Sequence, residues 1–179
     1  MNSFYKDIVP GKIRAHVDCN IFEDFGEEIT PYTYIVNACN CKGVGGSGIS
    51  KDIKIRYPNV FKEYKMFCKN GSIRIGSLAT SYLPPSNDIC DKIEGIIHFP
   101  TKDDWKNPSE IDFLIKGFSY FCKNVPSNLN IAFPLLGAGA GKIDPKQSMD
   151  LMISYLVKQN GKGKYGIYCT SEQFIKSGL

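Results

Sequence analysis

Apolar positions along the chain follow two rhythms. Short runs rich in β-branched and aromatic residues read as strands at 13–17, 32–37 (YTYIVN), 95–99, 130–134 and 165–169, with one or two more within 72–82. Elsewhere the spacing is helical. Ile49, Ile53 and Tyr57 share one face, and Pro58 ends or bends that helix. Val60, Phe61, Tyr64, Phe67 and Cys68 mark a second helix, stopped by Asn70-Gly71. The clearest pattern is Ile111, Leu114, Ile115, Phe118, Phe121 and Cys122, with Asn107-Pro108-Ser109 placed to cap it. Met149, Met152, Ile153 and Leu156 form the stripe of another helix, opened by Asp144 as N-cap, Pro145 at N1 and Gln147 positioned for a capping box. A short helix is expected at 172–177.

Strands alternating with helices favour a layered α/β fold with a mostly parallel or mixed central sheet. We find no internal repeat and no linker, so residues 1–179 read as a single domain. The 179 residues are 42% hydrophobic and 22% charged, as in ordinary folded proteins. No apolar run approaches the ~20 residues of a membrane span. The first twelve residues lack the apolar core of a signal peptide, and a cytoplasmic protein is expected. The net charge of +4 permits an anionic partner without demanding one. Seven cysteines include no Cys-x-x-Cys pair, and the two histidines, His16 and His98, are far apart. That spacing disfavours zinc; buried, reduced thiols are expected, with no metal and no cofactor.

Two glycine-rich stretches each follow an expected strand and precede a helix. One runs from Asn37 through Asn40, Gly43, Gly45, Gly46, Ser47 and Gly48; the other from Pro134 through Leu136, Gly137, Ala138, Gly139, Ala140 and Gly141. Alone, each could be a tight turn. Together, at the carboxyl ends of strands, they offer backbone N–H groups and helix N-termini to an anion, such as a diphosphate. The first lacks both the Walker ending and the G-x-G-x-x-G spacing, so ATPase and dehydrogenase readings are weak. Lys102 follows another strand in His98-Phe-Pro-Thr101-Lys102, just before Trp105, the only tryptophan. It could neutralise phosphate, stabilise charge or attack an electrophilic carbon, or it could be a surface lysine.

In combination these segments resemble the macrodomain family of ADP-ribose-binding modules over roughly residues 13–169. Val36-Asn37-Ala38-Cys39-Asn40 is similar to the family's V-N-A-A-N, Gly45-Gly46-Ser47-Gly48-Ile49 to its glycine loop, and Pro134-Leu-Leu-Gly137-Ala-Gly139 to its P-x-x-G-x-G loop. Within the family, His98-Phe-Pro-Thr-Lys102 with Trp105-Lys106 resembles the DarG-type DNA ADP-ribosylglycohydrolases and the terminal ADP-ribose glycohydrolases. The resemblance implies a three-layer α/β/α fold with a mixed central sheet. It implies ADP-ribose bound near Asn20 and Ile21, its diphosphate between Gly45–Ile49 and the loop 136–141, and Thr101 nearby. Asn40 would hold the distal ribose, and Lys102 would be catalytic, through a transient Schiff base or by stabilising charge.

Three departures qualify this. Ser50 stands where many protein-directed hydrolases of the family carry an aspartate, Gly141 where the terminal glycohydrolases carry one, and Asn20 where adenine is usually read by one. The stretches 25–31 and 84–91 have no counterpart. The implied activity is removal of ADP-ribose from a modified substrate, DNA foremost, with RNA or protein as other carriers and a monomer compatible with the reading. A non-catalytic ADP-ribose reader and an ADP-ribose-1″-phosphate phosphatase are the alternatives.

Overall fold

The computed structural model describes residues 4–23, 32–85 and 92–179. The stretch 25–31 and all but the start of 84–91 lie outside them. Seven strands alternate with five helices among the described residues: β1 (Phe4–Val9), β2 (Ile13–Val17), β3 (Tyr34–Asn40), α1 (Gly48–Arg56), α2 (Pro58–Lys69), β4 (Ala79–Tyr82), β5 (Gly95–Lys102), α3 (Ile111–Asn124), β6 (Ile131–Pro134), α4 (Pro145–Leu156), β7 (Tyr165–Cys169) and α5 (Ser171–Ser177).

The strands form one mixed sheet in the order β1-β2-β7-β6-β3-β5-β4. Its five central strands run parallel, and β1 and β4 pair antiparallel at the two edges. Period-two alternation on β3 assigns the layers. Tyr34 and Val36 enter the core shared with Leu114, Phe118 and Phe121 of α3 and Met149, Met152 and Leu156 of α4. Ile35 faces the opposite way, toward Ile53 of α1 and Val60 of α2. The result is the three-layer α/β/α arrangement.

The topology also places a crevice. From β3 the chain passes through α1 and α2 to β4 and β5 on one side; from β6 it passes through α4 to β7 on the other. The winding therefore reverses between the neighbours β3 and β6, and in open α/β sheets ligands bind at the carboxyl ends of strands at such a point. Beneath it a polar chain crosses the sheet. Asn37 Nδ2 donates to His98 Nδ1 (3.0 Å), and His98 Nε2 donates to Ser81 Oγ (3.1 Å). The tautomer follows because an amide nitrogen only donates. Burial pushes His98 down to about 3, so it stays neutral.

The structure adds to or departs from the sequence reading in four places. The N-terminal segment contributes a strand, β1, whose residues are mostly exposed and so carry no burial alternation. Within 72–82 only Ala79–Tyr82 is a strand; Arg74 and Ser77 form an isolated bridge. The N-cap of α3 is Glu110, without a side-chain cap bond, because Ser109 is drawn to the second glycine loop through its N–H to Gly141 O (2.9 Å). Asp144 does cap α4, accepting from Lys146 N and Gln147 N, but the reciprocal capping box forms at α5, between Thr170 and Gln173.

Candidate functional site

The strand order β6-β3-β5 sets the second glycine loop, the first glycine loop and Lys102 side by side at one sheet edge. They surround a cavity of about 450 Å³. Asn40, Gly46, Ser47, Gly48, Ile49, Thr101, Lys102, Gly137, Gly139, Ala140 and Gly141 all line it.

The first loop is folded by Asn40, the last residue of β3. Its Oδ1 accepts from the N–H groups of Lys42 (2.9 Å) and Val44 (3.3 Å), and its Nδ2 donates to Val44 O (2.7 Å). The buried Tyr64 hydroxyl donates to Asn40 O (2.7 Å), and Cys41 N bonds Lys102 O (3.1 Å), fixing the loop root to β5. The Asn40 amide thus chiefly shapes the loop, and one of its two N–H groups has no partner among the described residues. The loop ends on the N-terminus of α1. Its N-cap, Ser47, makes no side-chain cap bond, and the first turn has no acidic residue. The first N–H groups of a helix have no partner within it, so here they remain open to an anion.

The second loop is closed by Ile143 N to Gly137 O (2.9 Å), Lys142 N to Gly139 O (3.0 Å) and the buried Ser148 Oγ to Leu136 O (2.6 Å). Gly139, Ala140 and Gly141 have N–H groups without a partner among the described residues. The two loops use their glycines differently. A Cβ on Gly45 would lie 2.5 Å from the Phe61 ring, and one on Gly141 would lie 2.5 Å from Gly137 O, so those glycines serve packing. Gly46 and Gly139 have ordinary backbone angles, and a Cβ on either would meet nothing within 4 Å. Neither conformation nor packing asks for glycine at these two cavity-lining positions, and the bare backbone there is open to close approach from the cavity.

Lys102 is the last residue of β5 rather than the first beyond it, and its Nζ donates to Ala140 O across the cavity (2.9 Å). It is the only charged residue among the described residues lining the cavity, and no carboxylate lines it. Cys39, also in the wall, is buried, which pushes its thiol well above the ordinary range and keeps it protonated. Ser50 is buried, and its Oγ has no hydrogen-bond partner among the described residues. The site is therefore a cation and two amide cradles around an empty-handed hydroxyl, a composition suited to a phosphorylated ligand.

Five expected positions, Asn20, Ile21, Gly45, Leu136 and Ala138, do not line this cavity. Gly45 packs on Phe61, Leu136 is fully buried in the main core, and Ala138 packs against that core. Asn20 and Ile21 line an adjoining cavity of about 470 Å³, which shares Gly48, Ile49, Pro134, Tyr168 and Gln173 with the first. Asn20 Oδ1 accepts from Phe22 N (3.0 Å), holding that turn. Sequence reasoning gave no role to Val44, Ser50, Trp105, Tyr168 or Gln173, all of which line the main cavity. Tyr168 and Gln173 arrive from β7 and α5 with no local signal; Trp105, as the only tryptophan beside Lys102, was the one that could have been found.

The Macro domain family model matches residues 36–152, which span both glycine loops and Lys102. The chain belongs to the Macro domain family. This macrodomain is 37% identical over 113 residues to a protein of Mycobacterium tuberculosis named DNA ADP-ribosyl glycohydrolase, covering 62% of this chain and 31% of that protein. The chain spans about a third of the length of the DNA ADP-ribosyl glycohydrolases it matches. Among solved structures it is similar to the macrodomain of Mycobacterium tuberculosis DarG, with a TM-score of 0.72 and 26% identity over 86% of this chain and 96% of that one. It also shares its fold with Thermosipho africanus DarTG in complex with ADP-ribose, with a TM-score of 0.76 and 24% identity over 90% of this chain and 42% of that one. No helix among the described residues is long and apolar enough to cross a membrane.

Proposed function

We propose that this macrodomain hydrolyses the glycosidic bond between ADP-ribose and a modified DNA base. The observation that carries the proposal is Lys102: one amine, anchored on Ala140 O, in a cavity that has amide cradles on both sides and no carboxylate. A glycosidase using two carboxylates has no residues for it here. The names of the relatives and the ADP-ribose in the Thermosipho africanus structure support the same ligand and reaction.

In this reading the diphosphate lies between the α1 N-terminus and the N–H groups of Gly139–Gly141. Asn20 and Ile21 lie toward adenine, and the remaining Asn40 N–H points to the distal ribose. Lys102 acts at the anomeric carbon, either stabilising charge as the base departs or adding to ring-opened ribose to form an imine that water then hydrolyses. In both routes water supplies the new anomeric hydroxyl and the base leaves with a proton. A single domain, a monomeric state and a reducing, cytoplasmic setting go with this reading; the six described cysteines are all free thiols.

The test is incubation with single-stranded DNA and peptides carrying ADP-ribose, and with ADP-ribose-1″-phosphate. Release of ADP-ribose from DNA, lost in Lys102→Ala, is expected. Binding of ADP-ribose without release from any substrate would make the protein a reader, and phosphate release alone would make it a phosphatase; either result overturns the proposal.

A further inference from the structure

The two adjoining cavities give the bound ligand a direction. The one containing Asn20 and Ile21 meets the main cavity at Gly48, Ile49, Pro134, Tyr168 and Gln173, and neither Lys102 nor Trp105 lines it. A ligand with its adenine end there and its diphosphate between the loops has its distal ribose at the Lys102 end. Whatever is bonded to that ribose must leave the cavity past Lys102, where Trp105 stands.

Trp105 is built to be met from outside. It lines the cavity yet is 51% exposed. Burying an indole is among the larger contributions a side chain can make to folding, and here half of it is forgone. Its position is set by the backbone of its own turn. Asp103 Oδ1 accepts from Asp104 N (2.6 Å) and Asn107 Nδ2 (3.3 Å), Asp104 Oδ1 accepts from Lys106 N (3.0 Å), and Asn107 N bonds Asp104 O (3.2 Å). The turn is closed by polar bonds, and the indole is displayed at its tip. Lys106 Nζ sits 5.4 Å from the ring centroid, adding a cation beside the π surface.

We infer that Trp105 stacks on a nucleobase of single-stranded DNA emerging from the site, either the modified base or its neighbour, with Lys106 beside the strand's phosphates. This rests on the glycohydrolase reading above. A flat, exposed indole with an adjacent cation is the sequence-tolerant pairing by which proteins hold unpaired bases. Trp105 would thus be a substrate-positioning residue that selects DNA over peptide carriers of ADP-ribose.

The chain has one tryptophan, so its fluorescence reports this position alone. A single-stranded oligodeoxynucleotide of about ten bases carrying ADP-ribose, added to the Lys102→Ala protein, is expected to quench emission beyond the change caused by free ADP-ribose. In turnover, Trp105→Ala is expected to raise KM for that oligonucleotide about tenfold with kcat within about threefold, and Trp105→Phe to restore most of the loss. KM for an ADP-ribosylated peptide should stay within about twofold of wild type in the same variant. An unchanged KM for DNA in Trp105→Ala, or an equal loss of affinity for free ADP-ribose, overturns the inference while leaving the glycohydrolase reading standing. Failure of the wild-type protein to cleave the oligonucleotide overturns both.

Discussion

Lys102 Nζ and Ala140 O lie 2.9 Å apart, joining the end of β5 to a loop 38 residues further on. The contact keeps the amine at the cavity and leaves two of its three N–H groups for a ligand. Lys102→Ala is expected to lower turnover by at least ~100-fold, the scale of losing one preorganised electrostatic group. Because the loop keeps its other closures, ADP-ribose affinity should fall by less than ~10-fold, as read by calorimetry. Equal losses in both measurements would make the lysine a binding group only.

The glycines of the two loops should separate cleanly. Gly46→Ala and Gly139→Ala place a methyl in open space at the cavity wall, so melting temperature should hold while ADP-ribose affinity falls at least ~10-fold. Gly45→Ala and Gly141→Ala meet Phe61 and Gly137 O, and should cost about 1–3 kcal/mol of folding stability through overpacking. Thermal melts paired with calorimetry on all four variants check the division; a destabilised Gly139→Ala would contradict it.

Ser50 carries a buried hydroxyl with no hydrogen-bond partner among the described residues. Removing an unsatisfied buried group relieves a cost, so Ser50→Ala should be as stable as wild type or more so. If that hydroxyl serves the ligand, the same variant should bind ADP-ribose about 3–10-fold more weakly, the worth of one net hydrogen bond. Urea unfolding with and without ADP-ribose reads both effects.

His98 predicts a pH dependence of stability. Burial lowers it from 6.5 to about 3, so between those values the unfolded chain binds a proton that the folded chain refuses. Its contribution is whole above about pH 6.5 and is lost as pH falls toward 3, at a limiting slope of about 1.4 kcal/mol per pH unit. Unfolding free energy measured from pH 8 to pH 4 should bend downward below about 6.5. His98→Asn, which cannot take up that proton, should remove the bend; an unaltered profile would assign it to other groups.

Much of this was legible in the chain alone. Strands at 13–17 and 165–169, the helical stripes of α2, α3 and α4, both glycine loops and the lysine after His98-Phe-Pro-Thr follow from hydrophobic periodicity and turn chemistry, which act over a few residues. β1 was not legible, because an edge strand with mostly exposed side chains has no alternation to read. Nor was the start of α3, because the bond of Ser109 N to Gly141 O outweighs the local capping preference of Asn107.

The division of roles among site residues belongs to the tertiary structure. The sequence by itself determined that two glycine loops and a lysine follow strands in an α/β chain. Only the order β6-β3-β5 made them neighbours, and only the tertiary fold packed Gly45 on Phe61, set Gly141 beside Ser109 and hung the lysine on Ala140. Those outcomes depend on contacts between segments far apart in the chain, and a local pattern carries no information about which distant atom a side chain will meet.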